Sequence, residues 1–245
     1  MINKKLSILI SALNNRNFIP LYQNLKHQQT KDVEILVNCD SGKYTSGQKR
    51  NQLIKQSSGE YIVFVDDDDE VADDYVLNML NGCKAGKDIV SFNLQQKVND
   101  KLKNIQTLRV YYKDGEKLNG KVGMSANHLC AWKKKLATQV SWREDLGYGD
   151  DQLWYKPLLS YYSDITEHHI DKVLYYYNFN YATTANQNNT RVKYSQRTYK
   201  GGLNVYANSQ GIYVQDKPLS MFALNKNNEL VKIENMNLIN KVEIK

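Results

Sequence analysis

Three short apolar segments, separated by two stretches with helical spacing, fill most of the first 65 residues. The apolar segments are five to seven residues long and rich in β-branched side chains, as buried strands are. They run over Leu6–Ala12, Val33–Val37 and Tyr61–Val65. The stretches between them, Phe18–Gln29 and Gln48–Ser57, place apolar residues on one helical side. This alternation predicts βαβ units around a mostly parallel sheet, and therefore an α/β fold.

Acidic residues follow two of these predicted strands. Asp40 comes three residues after the second strand, and the third strand runs directly into the acidic stretch Asp66–Glu70. In open α/β sheets, ligands bind beyond the carboxyl ends of the strands. Both acidic positions are therefore predicted to lie at the ligand-binding edge of the sheet.

The acidic run is the strongest chemical signal in the sequence, since seven of the nine residues from 66 to 74 are acidic. Like charges this close raise one another's pKa and oppose folding unless a cation offsets them. Mg²⁺ binds one or two carboxylates together with substrate phosphates. We interpret Asp66–Asp69 as a metal site that faces a diphosphate, with a solvated acidic loop as the alternative. Asp73 and Asp74 are better explained by the N-terminus of a following helix.

Other ion-binding and nucleotide-binding motifs do not fit. Counted from Asp66, an EF-hand loop would need Gly at Val71 and Glu at Leu77. A P-loop would need Lys directly after Gly47, where Gln48 stands. The sequence contains no apolar run of about 18 residues, so no transmembrane helix is predicted. The three cysteines form no C-x-x-C pair, which favours a reducing location such as the cytoplasm of a bacterial or phage-infected cell.

The region from Lys49 to Asp69 resembles a family 2-type glycosyltransferase with a GT-A fold. Lys49-Arg50-Asn51 opens a helix, Gly59-Glu60-Tyr61-Ile62 leads into a strand, and Asp66–Asp69 follows it, in the order of the family's motifs. The resemblance implies a Rossmann-related mixed sheet flanked by helices.

Two further elements extend the resemblance to about residues 6–180. Gly149–Trp154 is similar to the family's G-E-D-x-x-(F/L)-W helix start, with Asp150 in place of Glu. The first strand and its Asn14-Asn15 turn are also similar, with Ser11-Ala12-Leu13 in place of a P-T-Y triplet.

The resemblance implies roles for individual residues. The implied metal ligands, for Mn²⁺ or Mg²⁺, are Asp68, Asp66 and Asp69. The implied nucleotide-binding residues are Asp40 beside the base, Asp67 near the ribose, Arg50 and Ala12. The implied catalytic base is Asp151, with Asp150 beside it. From the residues alone, Asp150 and Asp151 could instead cap the helix predicted to start near residue 150.

Three parts of the chain are expected. Residues 1–115 would bind the nucleotide sugar, residues 116–180 would supply the acceptor site and the catalytic base, and residues 181–245 would form a small basic appendage. That last segment has nine Lys or Arg against four Asp or Glu, within a chain of net charge +7. Its stretch Arg191–Lys200 could close over the diphosphate, line a groove for an anionic acceptor such as DNA, or be a solvated basic face.

The function implied is a metal-dependent inverting glycosyltransferase that moves a sugar from a nucleotide-diphosphate sugar to an acceptor hydroxyl. The acceptor could be a cell-envelope glycan or a hydroxylated base in phage DNA. One alternative is a nucleotidyltransferase, which also uses acids and a metal but releases pyrophosphate. Another is a non-catalytic module that binds carbohydrate or nucleic acid, whose acids hold a structural ion.

Overall fold

The computed structural model describes residues 4–146, 149–162 and 164–179, and the backbone of five short strands further along the chain. The predicted basic appendage, with Arg191–Lys200, lies outside the described residues except for those strands. In that region β11 (Arg197–Thr198), β12 (Asn204–Asn208) and β13 (Gly211–Gln215) pair antiparallel, as do β14 (Met221–Leu224) and β15 (Leu230–Ile233).

The main sheet has ten strands, with helices interspersed along the chain. The strands are β1 (Leu6–Leu13), β2 (Val33–Asp40), β3 (Tyr61–Asp66), β4 (Glu70–Val71), β5 (Ile89–Val98), β6 (Lys101–Arg109), β7 (Glu116–Leu118), β8 (Lys121–Ser125), β9 (Ala131–Lys133) and β10 (Glu167–Phe179). The helices of the described part are α1 (Ile19–Gln28), α2 (Ser46–Gln56), α3 (Tyr75–Lys84), α4 (Lys134–Ala137) and α5 (Asp150–Tyr161). Within these residues, none of the helices has the length and apolar character needed to cross a lipid bilayer.

The strand order is β2-β1-β3-β9-β5-β6-β8-β7, and β10 pairs with both β5 and β4. β2, β1 and β3 are mutually parallel, whereas β9 is antiparallel to β3 and to β5. The predicted α/β class, with a mixed sheet flanked by helices, is therefore confirmed. Strands from residues 1–115 and from residues 116–180 contribute to the same sheet.

The core lies around the central strands. Every residue of Leu6–Ile10 and Tyr61–Val65 is buried, which explains why these strands are apolar without alternation. Trp132, Trp142 and Trp154 are fully buried beside them, with the rings of Trp142 and Trp154 stacked 4.8 Å apart at 11°. The tryptophans therefore belong to the core.

The register of the three parallel strands aligns their carboxyl ends. Leu13 of β1 lies opposite Asp40 of β2, and Ser11 of β1 lies opposite Asp66 of β3. The two acidic positions thus meet at one edge of the sheet, as the sequence predicts. Immediately after β3, the short strand β4 pairs with β10, so the acidic loop is held between β3 and β10.

Candidate active site

Helix α2 starts where it does because of a capping box and a close approach to another loop. Thr45 is the N-cap: its hydroxyl accepts a hydrogen bond from the Gln48 N–H, and the Gln48 side chain accepts one from the Thr45 N–H. A Cβ on Gly47 would lie 1.8 Å from the carbonyl oxygen of Arg143. Only glycine allows the start of α2 to contact the loop 142–145 this closely.

Lys49 of α2 fixes the nucleotide-binding edge expected from the sequence. Its buried ammonium donates to the Ala12 carbonyl at 2.7 Å and to Asp40 Oδ1 at 2.9 Å. Asp40 also accepts the Tyr44 N–H at 2.7 Å. These bonds, the Tyr44 N–H first, lower the pKa of Asp40 to about 2. Ala12 and Asp40 are therefore brought together, and Asp40 is ionised at neutral pH.

Arg50 of α2 links the two acidic elements of the sequence. Its guanidinium donates to Asp66 Oδ1 at 3.1 Å and to Asp150 Oδ2 at 2.9 Å, and it lies over the Trp142 ring, 4.4 Å from the ring centroid. Arg50 and Asp150 are both buried, so each needs the other as a counter-charge. The end of β3 and the start of α5 are thereby tied to one side chain.

Asn51 of α2 holds the loop that precedes α5. Its side-chain amide donates to the Trp142 carbonyl at 3.0 Å and to Glu144 Oε1 at 2.8 Å, and it accepts the Trp142 N–H at 3.0 Å. The motif Lys49-Arg50-Asn51 thus links α2 to the ends of β1 and β2, to the acidic loop and the start of α5, and to the loop 142–145.

A histidine that the sequence analysis did not single out lies between Asp66 and Asp151. His128 is buried, with Nε2 3.2 Å from Asp66 Oδ2 and Nδ1 3.7 Å from Asp151 Oδ2. Its Nδ1 has no hydrogen-bond partner among the described residues. One imidazole ring therefore separates the predicted metal ligand from the predicted catalytic base.

Asp150 and Asp151 stand in the first turn of α5. The N-cap position belongs to Gly149, which has φ +78°, a left-handed conformation that favours glycine. Neither aspartate is the N-cap, so the capping alternative reduces to a favourable interaction with the helix dipole. Burial raises the pKa of Asp150, against the opposing charge of Arg50.

The four consecutive aspartates after β3 have four different sets of partners. Asp66 is bound by Arg50 and His128, as described above. Asp67 is buried, and its two oxygens accept the Leu13 N–H at 2.8 Å and an Arg16 N–H at 2.6 Å. Asp68 has the most exposed side chain of these three, 39% against 27% for Asp66 and 4% for Asp67, and its Oδ2 is 3.1 Å from Arg16 Nη1.

Asp69 faces β10. It is buried, and its oxygens accept the Tyr175 hydroxyl at 2.7 Å and the Asn178 N–H at 2.7 Å. Both of its oxygens are thus bound by neutral donors of β10, in contrast to Asp66 and Asp68, each of which pairs with an arginine.

The surroundings shift the pKa of three carboxyl groups of this loop, and not all in the same direction. Burial raises the pKa of Asp66, but His128 and Arg50 outweigh it and hold that pKa well below its usual range. Burial, together with the charge of Asp66, raises the pKa of Asp68 to about 6. Burial and the charges of Asp66 and Asp68 raise the pKa of Asp69 well above its usual value. Divergent values of this kind are typical of functional sites.

The donor set of this loop fits a divalent cation that is bound jointly with a diphosphate. Among residues 4–146, 149–162 and 164–179, no three His, Cys, Asp or Glu side chains converge as a complete metal site. Mg²⁺ and similar ions need only one or two carboxylates when phosphates supply other ligands. Asp68, with a free path to solvent, and Asp66 beside it are such carboxylates, and the Arg16 guanidinium shows that a cation is accommodated against Asp68.

Asp73 and Asp74 directly precede α3, which begins at Tyr75, so the helix interpretation for this pair is confirmed in position. Asp74 pairs with Lys172 of β10, and Asp73 accepts a hydrogen bond from Asn24. Neither residue touches the carboxylates of the acidic loop in the contacts described.

The chain is similar in sequence to one protein-family model and similar in fold to solved structures. Residues 24–139 match the family model described as glycosyl transferase family 2. The crystal structure of residues 1–349 of TarS from S. aureus in complex with UDP has a similar fold, with a TM-score of 0.55 and 17% identity over 71% of this chain and 60% of that one. The UDP-GlcNAc complex of the same TarS fragment gives a TM-score of 0.53 and 15% identity, over 71% and 58% of the two chains. Among curated proteins, none matches the chain.

The chain thus spans less than two thirds of the TarS fragments that it resembles. At this level of identity the likeness is one of fold.

Proposed function

We propose that the chain transfers a sugar from a nucleotide-diphosphate donor to an acceptor hydroxyl, because residues 24–139 match the family model described as glycosyl transferase family 2. The observation that carries this proposal is the arrangement around His128 and Arg50. These two side chains hold Asp66, at the end of a sheet strand, next to Asp150 and Asp151, at the start of α5. A carboxylate that would hold a metal ion against a diphosphate and a carboxylate that would accept a proton are then neighbours, as sugar transfer requires.

The donor nucleotide would bind at the edge formed by Asp40 and the end of β1. Lys49 keeps the Asp40 carboxylate ionised and fixed, so that it can accept an N–H from a base. Asp67 would accept a ribose hydroxyl with a remaining lone pair while it holds the β1 turn. Because the TarS fragments bind UDP and UDP-GlcNAc, uridine diphosphate is the first nucleotide to test.

Mn²⁺ or Mg²⁺ would be held by Asp68 with Asp66, and it would act as a Lewis acid toward the leaving diphosphate. We propose a different role for Asp69. Asp69 is buried, whereas the Asp66 side chain is 27% exposed, and both Asp69 oxygens are bound by β10, so Asp69 positions the acidic loop rather than serving as a ligand. Arg50 serves mainly to hold Asp66 and Asp150 in place, rather than to bind the nucleotide.

Asp151 would act as the general base. It takes the proton of the acceptor hydroxyl, whose oxygen forms a bond to the anomeric carbon. The bond from that carbon to the diphosphate oxygen breaks, and its electron pair leaves with the nucleoside diphosphate. A single displacement of this kind inverts the anomeric carbon. The ion pair between Asp150 and Arg50 keeps the first turn of α5, and with it Asp151, in position.

The acceptor is a cell-envelope glycan or a hydroxylated base in DNA. The two differ in charge, so binding to DNA would weaken steeply with salt, whereas binding to a neutral oligosaccharide would not. Affinities for both acceptors at two salt concentrations distinguish them.

The variant Asp151→Asn tests the proposal. Loss of a general base typically costs about 10²–10⁴-fold in rate, so we expect transfer to fall by that amount. The upward shift in melting temperature caused by UDP with Mn²⁺ should persist, because Asp151 is not in the donor edge. The control is Asp73→Asn, the same chemical change at an exposed aspartate of the acidic run. It should leave both readouts unchanged.

Undiminished transfer by Asp151→Asn would remove this residue from the mechanism.

The released product distinguishes the alternative functions. A glycosyltransferase releases nucleoside diphosphate, and a nucleotidyltransferase releases pyrophosphate from a nucleoside triphosphate. If panels of sugar nucleotides and of nucleoside triphosphates yield neither product with Mn²⁺ or Mg²⁺, the chain is a binding module instead.

A further inference from the structure

Arg16 lies against the acidic loop and pairs with two of its aspartates. One terminal nitrogen, Nη1, is 2.6 Å from Asp67 Oδ1 and 3.1 Å from Asp68 Oδ2. The Arg16 side chain is 30% exposed, so it is partly covered by protein but has a route to solvent. A positive group of the chain itself therefore contacts the carboxylate at which a divalent ion would bind.

The backbone around Arg16 is fixed by its own hydrogen bonds. The Arg16 N–H donates to the Leu13 carbonyl at 3.0 Å, and the Asn14 N–H donates to the Asp40 carbonyl at 2.9 Å. The Leu13 N–H is in turn held by Asp67. Only the Arg16 side chain needs to rotate for the guanidinium to leave Asp68, while the turn stays in place.

Two cations at Asp68 would repel each other across a short distance. A divalent ion alone must therefore displace Arg16 or bind beside it against that repulsion. A diphosphate changes the balance, because its negative charges can pair with the ion and with a guanidinium at the same time. Binding of the metal should then depend on the nucleotide.

We propose that Arg16 is a resident counter-cation of the acidic loop, which keeps divalent metal from Asp68 until a nucleoside diphosphate is bound. This proposal rests on the proposed function for the identity of the nucleotide. It assigns Arg16 a regulatory part: the guanidinium balances the acids in the free protein and makes metal and donor bind together.

The test is Mn²⁺ binding to the full chain, measured from the electron paramagnetic resonance signal of free Mn²⁺, with and without UDP. Without UDP, we expect Arg16→Gln to bind Mn²⁺ at least about fivefold more tightly than the native protein, within the usual range of coupling between sites. The enhancement of Mn²⁺ affinity by UDP should shrink by a similar factor. Arg16→Lys, which retains the charge, should stay close to the native protein.

The matched control is Lys97→Gln, which removes one positive charge from the other end of the same acidic run, where Lys97 pairs with Glu70. It should change the Mn²⁺ affinity by less than about twofold, because Lys97 pairs with Glu70 rather than with either carboxylate proposed to hold the ion, and salt screens its remaining effect. Unchanged or weaker Mn²⁺ binding by Arg16→Gln, or an equal effect of Lys97→Gln, would overturn the proposal.

Failure of this proposal is distinguishable from failure of the proposed function. The Mn²⁺ titration without nucleotide measures the role of Arg16 by itself. If no nucleoside diphosphate raises the melting temperature of either protein, the proposed function fails, whatever the metal titration gives. If Arg16→Gln does not fold, Arg16→Lys is the test. Because lysine keeps the positive charge, the proposal expects native Mn²⁺ affinity for this variant. An affinity more than about fivefold tighter than native would contradict the proposal that the charge of residue 16 excludes the ion.

Discussion

Two buried tyrosines allow the contribution of one hydroxyl group to the acidic loop to be measured. Tyr175 and Tyr75 are both fully buried, and both rings pack on Phe92, at centroid distances of 6.3 and 6.1 Å. The Tyr175 hydroxyl donates to Asp69 Oδ2 at 2.7 Å and accepts the Asp66 N–H at 3.1 Å. The Tyr75 hydroxyl has no hydrogen-bond partner in the part of the chain that the structure describes.

The magnitudes follow from these partners. Tyr175→Phe removes one hydrogen bond to Asp69, a loss of about 1 kcal/mol, and leaves the Asp66 N–H without a partner, at a cost of about 1–3 kcal/mol. We therefore expect Tyr175→Phe to lower the free energy of unfolding by about 2–4 kcal/mol. Tyr75→Phe removes a hydroxyl that is desolvated and unpaired, so its effect should be neutral or stabilising by up to about 1 kcal/mol.

Urea unfolding of both variants, followed by tryptophan fluorescence, checks this. The slopes with urea should equal that of the native protein, so that the midpoints report stability alone. In thermal scans the difference between the variants corresponds to roughly 4–20 °C for a chain of this size. If both variants lose the same free energy of unfolding, the hydroxyl of Tyr175 does not hold the acidic loop. The proposed positioning role of Asp69 would then be wrong as well.

Two further predictions concern other parts of the molecule. Because a Cβ at Gly47 would lie 1.8 Å from the Arg143 carbonyl oxygen, Gly47→Ala should push the loop 142–145 away from α2. Transfer should fall at least about tenfold, a barrier change of about 1.4 kcal/mol, while the UDP-induced thermal shift is retained. Ser46→Ala in the same turn is the control, and equal transfer by the two variants would contradict the close contact. Burial and the charge of Arg109 lower the pKa of His169 below its ordinary 6.5. The unfolded chain therefore binds the proton more readily, and stability is lost as the pH falls below about 6.5. In urea unfolding at pH 5 and pH 7.5, His169→Gln should lose less stability on acidification than the native protein, and equal losses would refute the lowered pKa of His169.

The elements of the sheet that carry the site were predictable from local patterns. β1 and β3 are short apolar runs because they are buried on both faces. The ends of the elements depended on partners distant in sequence. β2 continues past the apolar residue Val37 as far as Asp40 because Leu13 of β1 pairs with it, and no local signal marks that pairing.

The partners of the acidic residues were not predictable in this way. His128 lies in a loop between β8 and β9, without periodicity or motif, and only the folded sheet brings it to Asp66 and Asp151. Arg16 likewise looks like one charge in a polar turn. The signal that could have pointed to both is physical: four adjacent carboxylates at a sheet edge need partners, and every Arg, Lys and His of the sequence was a candidate.

The acidic loop shows why charge count alone does not define a metal site. The sequence argument holds that adjacent aspartates oppose folding unless a cation offsets them, and the structure supplies several such groups from the chain itself. Arg50 and His128 bind Asp66, and Arg16 binds Asp67 and Asp68. The free protein can therefore fold without a divalent ion, and under our proposal the ion binds at the partly exposed carboxylate of Asp68 only together with the donor. Under our proposal, removal of metal should thus weaken donor binding and turnover and leave the stability of the free chain almost unchanged.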